Sequence, residues 1–159
     1  MLFRSRLGQG NLEDLLMASL MDPYCGLFMA QTAEKLASQY EISREEQDEF
    51  AVTSISRAEN AQEKGLFDAE IFPIEVKRGK QMIQVDRDDH IKPGTTQEKL
   101  ARLRPAFGKD GTVTAGNASG IVDGAAAVVL AADDSPVALD REVLGTVKGW
   151  KVVGVDPSI

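Results

Sequence analysis

The sequence is poor in cysteine and histidine, and this scarcity excludes several kinds of site. Its 159 residues include one cysteine, Cys25, and one histidine, His90. A single cysteine allows no internal disulfide and fits neither a cysteine-rich secreted scaffold nor a multi-cysteine zinc site. We therefore expect no bound metal and a reducing, cytoplasm-like compartment.

Basic charge and long apolar runs are also scarce. The chain has 18 Lys and Arg against 25 Asp and Glu, a net charge of −7, which argues against nucleic-acid binding because phosphate contacts need a basic face. No run is suited to spanning a membrane. The opening MLFRSRLGQG lacks the apolar core of a secretory signal, and the alternative that Met1 lies inside a longer reading frame stays open.

Hydrophobic spacing predicts two helices in the first 40 residues. Apolar residues recur at helical spacing after Asn11, which is placed to cap a short helix that ends before Asp22. A second helix carries apolar residues at i, i+4, i+7, i+8 and i+11. The residues on this second face are Met29, Ala33, Leu36, Ala37 and Tyr40.

A capping box marks a third, longer helix. Ser43 is followed three positions later by Glu46, and the segment that follows is helix-favouring as far as Lys64, with Gly65 suited to the stop. Its predicted inward-facing residues are Phe50, Ala51, Ser54, Ile55, Ala58 and Ala61.

Alternating apolar residues between positions 71 and 85 predict a β-hairpin around Lys77-Arg78-Gly79-Lys80. Further on, Thr95 followed by Glu98 predicts the start of a short helix that ends before Pro105. A small α+β unit is complete at this point.

Beyond Gly108 the composition shifts to glycine and alanine. Val128-Val129-Leu130 has the character of a buried central strand, and a final strand is predicted at about 145–155. These strands have too few partners and covering helices within the chain to complete a sheet. The sequence therefore predicts an α/β fold that is cut from something larger.

The most specific stretch is GTVTAGNASG at positions 111–120, which has glycines beside Asn117 and Ser119. Two interpretations are open: a tight loop that enters a buried strand, or a loop whose backbone approaches a ligand closely. It is not a phosphate loop, because neither Gly-Lys-Ser/Thr nor GxGxxG is present.

Four stretches, in order, resemble the thiolase family from Leu7 onward. They are MAQTAEKLA with ISREEQDEFAVTS; FPIEVKRGKQMIQVDRDDHIKPGTT with KLARLRPAF; TVTAGNASGIVDGAAAVVL; and GTVKGWKVVGVDPSI. The resemblance implies a thiolase-like α/β/α layered fold that is incomplete here. Residues 1–110 would form the α+β loop domain on the coenzyme A-binding side. Residues 111–140 would return to the N-terminal domain, and residues 141–159 would start the C-terminal domain.

Thiolases cleave 3-ketoacyl-CoA with coenzyme A to acetyl-CoA and a shortened acyl-CoA, or run the condensation in reverse. The resemblance thus implies acyl-CoA and coenzyme A as substrates, no covalently bound cofactor and no nucleic-acid or membrane partner. It also implies a homo-oligomer, because FRSRLGQG resembles part of the family's oligomer-forming loop. The expected location is cytoplasmic, with organellar targeting of a longer parent left open. The alternatives are an inactive coenzyme A-binding module and a split subunit.

The resemblance also assigns binding residues. Lys92 and Thr95 match positions near the nucleotide end of coenzyme A, although the family usually has arginine where Lys92 stands, and lysine lacks the planar fork that stacks on adenine. The pantetheine and acyl end is assigned to Ser119, Ala115, Phe107, Met29 and Phe28. Each has a plainer alternative: a solvated lysine, a core phenylalanine, a packing methionine, or a serine that bonds its own turn.

No catalytic residue is assigned. The chemistry needs a nucleophilic cysteine, a histidine that activates it and a second cysteine as acid/base. In the family the nucleophile lies upstream of this region and the other two lie in the C-terminal domain. Cys25, in DPYCGLF, is outside those motifs and is interpreted as a buried or turn thiol, and His90 as exposed. We therefore expect this chain alone to be inactive.

Overall fold

The computed structural model describes residues 13–159, except for the side chain of Leu139. The predictions made for Asn11 and for FRSRLGQG lie outside the described residues. The chain divides into two compact units. Within the described part, the first unit contains residues 13–120 and 157–159, and the second contains residues 121–156.

The first unit opens with helices α1, Leu15–Leu20, and α2, Met29–Gln39. The cap of α1 is Asp14, because its carboxylate accepts the N–H groups of Leu16 and Met17 at 2.9 and 3.1 Å. The apolar face of α2 is buried only at Ala37, while Met29 is 74% exposed. A helical face is buried only where another element packs on it.

The capping box of helix α3, Arg44–Glu63, is confirmed. The N–H of Ser43 donates to Oε2 of Glu46 at 2.8 Å, and the N–H of Glu46 donates to the Ser43 hydroxyl at 3.1 Å. The predicted inward face is wrong at Phe50, which is 76% exposed, and at Ser54, which is also exposed, whereas Asp48 is buried. Asp48 is buried because Arg44 and Asn117 bond its carboxylate, while the other predicted inward residues, Ala51, Ile55, Ala58 and Ala61, are half-buried.

The hairpin is also confirmed. Strands β1, Ile74–Arg78, and β2, Gln81–Val85, pair antiparallel with Val76 opposite Ile83. Gly79 has a φ of 64° at the first central position of the two-residue turn, where a type II′ turn requires a positive φ.

Helix α4, Gln97–Ala101, begins one residue later than predicted. Its cap is Thr96, whose hydroxyl accepts the N–H of Lys99, so the prediction that Thr95 starts the helix is wrong by one position. Leu100 is buried. Beyond α4, Pro105 and Thr114 form an isolated antiparallel bridge. The core residues are Ala37, Leu100 and Val113, together with the buried polar residues Asp48 and Thr114.

Two predictions made for the second unit are wrong. Its described residues, 121–156, form helix α5, Pro136–Leu139, and no strand. Val128, Val129 and Leu130 are 81–85% exposed, so neither the buried central strand nor the final strand at 145–155 forms. A strand needs a neighbouring strand to bond its backbone and a covering layer to bury its side chains, and the unit supplies neither.

The predicted α/β class is confirmed by the helices and the small antiparallel sheet. The predicted domain bounds of 1–110, 111–140 and 141–159 stay predictions. Among the described residues, no helix combines the length and apolar character needed to cross a membrane.

Candidate functional site

Residues 111–120, hereafter the glycine loop, are anchored to α2 by one carboxylate. Both oxygens of Glu34 accept the N–H of Thr112, at 2.9 and 2.8 Å, and Oε1 accepts the N–H of Val113 at 2.8 Å. Oε2 also accepts the Thr112 hydroxyl at 2.8 Å. Bonds to an ionised acceptor are about twice as strong as neutral ones, so this contact fixes the start of the loop.

The electrostatics of Glu34 favour the charged form. Partial burial by itself raises the pKa of Glu34, but the hydrogen bonds from Thr112 and Val113 and the positive charge of Arg44 lower it. The hydrogen bonds and the positive charge together outweigh the effect of burial, so the pKa of Glu34 lies below its ordinary value. The carboxylate is therefore ionised at neutral pH and holds the loop as an anion.

A second anchor holds the middle of the glycine loop. Oδ1 of Asn117 accepts the N–H of Thr114 at 2.7 Å, while Nδ2 donates to the carbonyl of Thr112 at 2.9 Å and to Oδ1 of Asp48 at 3.0 Å. The amide has only one orientation that satisfies all three partners, since a carboxylate and a carbonyl cannot donate. The loop is thus bonded to itself and to α3.

Arg44 extends this network to α4. Its Nε donates to Oδ2 of Asp48 at 2.8 Å, and its Nη2 donates to the carbonyls of Leu100 at 2.6 Å and Leu103 at 3.3 Å. The Asp48 side chain is 2% exposed, so its charge is stable only because Arg44 and Asn117 contact it. Three segments meet at this one buried carboxylate.

The glycines of the loop are required by packing within the protein. A Cβ on Gly111 would collide with the carbonyl oxygen of Phe107 and would lie 2.7 Å from Oε1 of Glu34. At Gly116 it would meet methyl groups of Leu100 and Leu103 at 2.5 Å. The interpretation that the loop is tightly packed is therefore supported at these two positions.

Two of the predicted binding residues touch. The rings of Phe28 and Phe107 are tilted at 37° with centroids 5.8 Å apart, and both side chains are half-buried. Met29 follows directly as an exposed side chain. Phe107 also lines a cleft of about 470 Å³ together with Glu34 and Gly111. The structure therefore joins the aromatic pair to the anchored end of the glycine loop.

The other predicted residues lie on exposed loops. Thr95 donates its hydroxyl to the carbonyl of Lys92 at 2.6 Å, and Lys92 donates Nζ to the carbonyl of Asp89 at 2.8 Å. These residues belong to a segment, 89–95, that we call the charged turn. Ala115 and Ser119 lie on the exposed part of the glycine loop.

His90 brings the charged turn to the end of the glycine loop. Its ring occupies the space that a Cβ on Gly120 would need. The lysine and threonine of the charged turn therefore lie on a segment that contacts the residue after Ser119. The residue assignments themselves stay predictions.

Sequence reasoning missed the residues that hold the site together. Arg44 and Asp48 are spaced i, i+4 on one helix, a pattern that indicates a pair, but such pairs are usually exposed. Glu34 gave no signal, because its partners are backbone N–H groups 78 and 79 positions away.

The isolated thiol and imidazole have separate surroundings. The N–H of Cys25 donates to the Asp22 carboxylate at 3.1 Å, and its half-buried thiol forms no disulfide and donates to the carbonyl of Pro157 at 3.8 Å, whereas His90 packs on Gly120. None of these contacts supports a nucleophile–base pair. Within residues 13–159 no group of three or more His, Cys, Asp or Glu side chains is arranged to hold a metal ion.

Comparison with known proteins gives a consistent result. The family profile "Thiolase, N-terminal domain" matches residues 1–134. Over 99% of its length the chain is 48% identical to a probable acetyl-CoA acyltransferase of Staphylococcus epidermidis and 49% identical to the human mitochondrial 3-ketoacyl-CoA thiolase. The crystal structure of that human thiolase in complex with CoA matches 75% of this chain and 29% of its own at 52% identity, with a TM-score of 0.65.

The α/β fold that carries the anchored glycine loop is thus similar to an acetyl-CoA acyltransferase and to a 3-ketoacyl-CoA thiolase. The chain belongs to the thiolase family, as the resemblance implied. It spans about 40% of the length of the curated relatives it matches.

Proposed function

We propose that this chain supplies the coenzyme A-binding side of a thiolase, which transfers an acyl group between 3-ketoacyl-CoA and coenzyme A. The contact between Phe28 and Phe107, 5.8 Å between ring centroids, carries the proposal. It brings together two residues that the family resemblance assigns to one channel. The similarity to a thiolase crystallised with CoA supports it.

The chemistry of the described residues suits the two ends of coenzyme A. The pantetheine arm is long and only weakly polar, so aromatic side chains and a hydroxyl such as that of Ser119 match it. The nucleotide end carries phosphates, and the protein is acidic overall, with a net charge of −7. Lys92, on the exposed charged turn, is a local cation that would attract those phosphates.

Turnover requires groups that are not assigned to this chain. Acyl transfer through a thioester needs a cysteine thiolate, a base that activates it and a second acid/base group. Cys25 and His90 do not form such a set. We therefore propose that the nucleophilic cysteine, the histidine and the second cysteine come from other thiolase segments, and that this chain alone binds coenzyme A without turnover.

The same proposal includes the setting in which the complete enzyme works. Cleavage of 3-ketoacyl-CoA fits fatty-acid β-oxidation, with the reverse condensation as the biosynthetic direction. A homo-oligomer and a cytoplasmic location complete the proposal.

A second candidate is a split subunit that acts with a complementary thiolase chain. The apolar side chains of the second unit favour it, because Val128, Val129 and Leu130 are exposed, and strand-forming residues of this kind are normally covered. Addition of complementary thiolase segments as a separate polypeptide would produce thiolysis if this candidate holds.

The test is calorimetric titration of the full chain with coenzyme A, together with a thiolysis assay on acetoacetyl-CoA. We expect saturable binding and no turnover. Lys92→Ala should raise the Kd about fivefold through the loss of one charged contact, and Lys80→Ala, in the exposed hairpin turn, is the charge-matched control. Absence of saturable binding would overturn the proposal, and turnover would show that the chain holds its own nucleophile.

A further inference from the structure

Two carboxylates from different helices hold the glycine loop, and neither belongs to the set assigned to binding. Glu34 of α2 bonds the start of the loop directly, and Asp48 of α3 bonds its middle through Asn117. We infer that Glu34, Asp48 and Asn117 are positioning residues that fix the glycine loop in the form that receives the pantetheine arm of coenzyme A. The inference rests on the proposed coenzyme A site.

Glu34 holds the start of the loop through hydrogen bonds from the backbone of two consecutive residues. The N–H groups of Thr112 and Val113 point at the same carboxylate, and Val113 is only 7% exposed. A buried N–H that loses its acceptor is destabilising, so these amides remain in place only while the carboxylate is there. The backbone conformation at the start of the loop is therefore set by a side chain on another element.

Asn117 performs the same task further along the loop. It fixes the backbone of Thr114, which is fully buried at 0% exposure, and it also bonds the carbonyl of Thr112. Asp48 restrains the Asn117 amide, and Arg44 restrains Asp48. Because every member has a partner of matching chemistry, the network favours one arrangement.

The exposed residues of the loop lie between and beside these fixed points. Ala115 lies between Thr114 and Asn117, and Ser119 follows Asn117 by two residues. Their positions are thus set by groups that themselves face inward. A loop that is ordered before binding has less conformational freedom to lose when it binds. If only a fraction of molecules has the competent loop, the apparent Kd rises in inverse proportion to that fraction.

The test compares the full chain with Glu34→Gln. Glutamine keeps the size of the side chain but replaces one acceptor oxygen and removes the charge. Thr112→Val is a milder second variant, since it deletes only the hydroxyl bond to Glu34. Glu49→Gln, which removes the same charge from an exposed position of α3, is the matched control.

Three probes separate positioning from a general loss of structure. They are coenzyme A, pantetheine and adenosine 3′,5′-bisphosphate, titrated at a temperature where thermal unfolding shows every variant to be folded. We expect Glu34→Gln to raise the Kd for coenzyme A and pantetheine about tenfold and to leave the bisphosphate Kd unchanged. Amide exchange at Val113 should accelerate in the same variant, and Thr112→Val should show a smaller change of the same pattern.

Failure of the positioning role and failure of the proposed function would give different results. If the unaltered chain binds neither coenzyme A nor pantetheine, the proposed function fails. If the unaltered chain binds and both variants bind pantetheine as tightly, the positioning role is wrong although the site is real. An equal loss for all three probes would assign Glu34 a merely structural role, and this too would overturn the inference. Should Glu34→Gln not fold, Thr112→Val decides by the same comparison.

Discussion

Asn117 donates its amide Nδ2 to the buried Oδ1 of Asp48 at 3.0 Å, across 69 positions of sequence. The contact joins a polar residue of the glycine loop to a charged residue of α3 that lies outside the inward face predicted for this helix. Since both side chains are also bonded elsewhere, removal of one leaves several buried groups without partners.

The first prediction concerns charge at this contact. Asn117→Asp keeps the shape of the side chain but places a second carboxylate oxygen against Asp48 and the carbonyl of Thr112. We expect a loss of about 3 kcal/mol or more in the free energy of unfolding, because a buried polar pair becomes repulsive. Urea denaturation at neutral pH measures this loss in the free energy of unfolding.

The control for this variant is Asn60→Asp, which makes the same chemical change at an exposed position of α3. It should alter the stability by less than about 0.5 kcal/mol. Adding Asp48→Asn to Asn117→Asp should recover part of the loss, because an amide and a carboxylate again face each other. If Asn117→Asp and Asn60→Asp had the same free energy of unfolding, the contact between Asn117 and Asp48 would be unimportant for stability.

The second prediction concerns close packing at Gly111. Gly111→Ala places a methyl group against the backbone carbonyl of Phe107 and against the Glu34 carboxylate, and a backbone atom cannot rotate away. We expect a loss of about 2–3 kcal/mol, as in overpacked cores. Gly124→Ala, which has open space around its Cβ, should have little effect. Denaturation midpoints that coincide for the two variants would contradict the packing argument.

The third prediction concerns pH. The folded state lowers the pKa of Glu34, so the unfolded chain binds more protons over the interval between the two pKa values. The stability from Glu34 is fully present above the ordinary pKa of a glutamate, about 4.3, and is lost as the pH falls through the folded-state value. The free energy of unfolding of the unaltered chain should therefore approach that of Glu34→Gln in acid.

The measurement is urea denaturation of both proteins from about pH 7 to about pH 3. Arg44 supplies the nearby positive charge, and Asp110 and Glu41 line the same cleft, but these groups are common to both proteins and largely cancel in the difference. A stability gap that stays constant across this range would show that Glu34 does not act as an anion.

The fourth prediction concerns the helix cap. Ser43→Ala removes the hydroxyl that accepts the N–H of Glu46 and should lower the free energy of unfolding by about 1 kcal/mol. Ser56→Ala, in the exposed middle of the same helix, should be neutral or slightly stabilising because alanine is the better helix former. If both changes have the same effect by thermal denaturation, the cap contributes nothing beyond propensity.

Local elements were predictable where a few neighbouring residues contain the whole interaction. Ser43 and Glu46 bond within one helical turn, and Gly79 closes a two-residue hairpin turn. The start of α4 was displaced by one residue because Thr96 competes with Thr95, which has the same capping chemistry.

The candidate site was predictable only in part. The family resemblance brought Phe28 and Phe107 to one site, and their rings do touch. Periodicity failed at Phe50, which it placed inward although the side chain is exposed, and it gave no indication that Asp48 is buried. A period of 3.6 residues identifies an apolar face, but it does not say which face a neighbour covers.

By itself, therefore, the sequence determined the family, the α/β class, the first four helices and the hairpin, since these depend on local bonding and on motifs in order. The tertiary structure decided which carboxylates hold the glycine loop, because Glu34 and Asp48 meet their partners only when distant segments pack. It also decided that Val128 to Leu130 lie exposed. A strand forms through hydrogen bonds to a neighbour, and no apolar pattern within one segment can supply that neighbour.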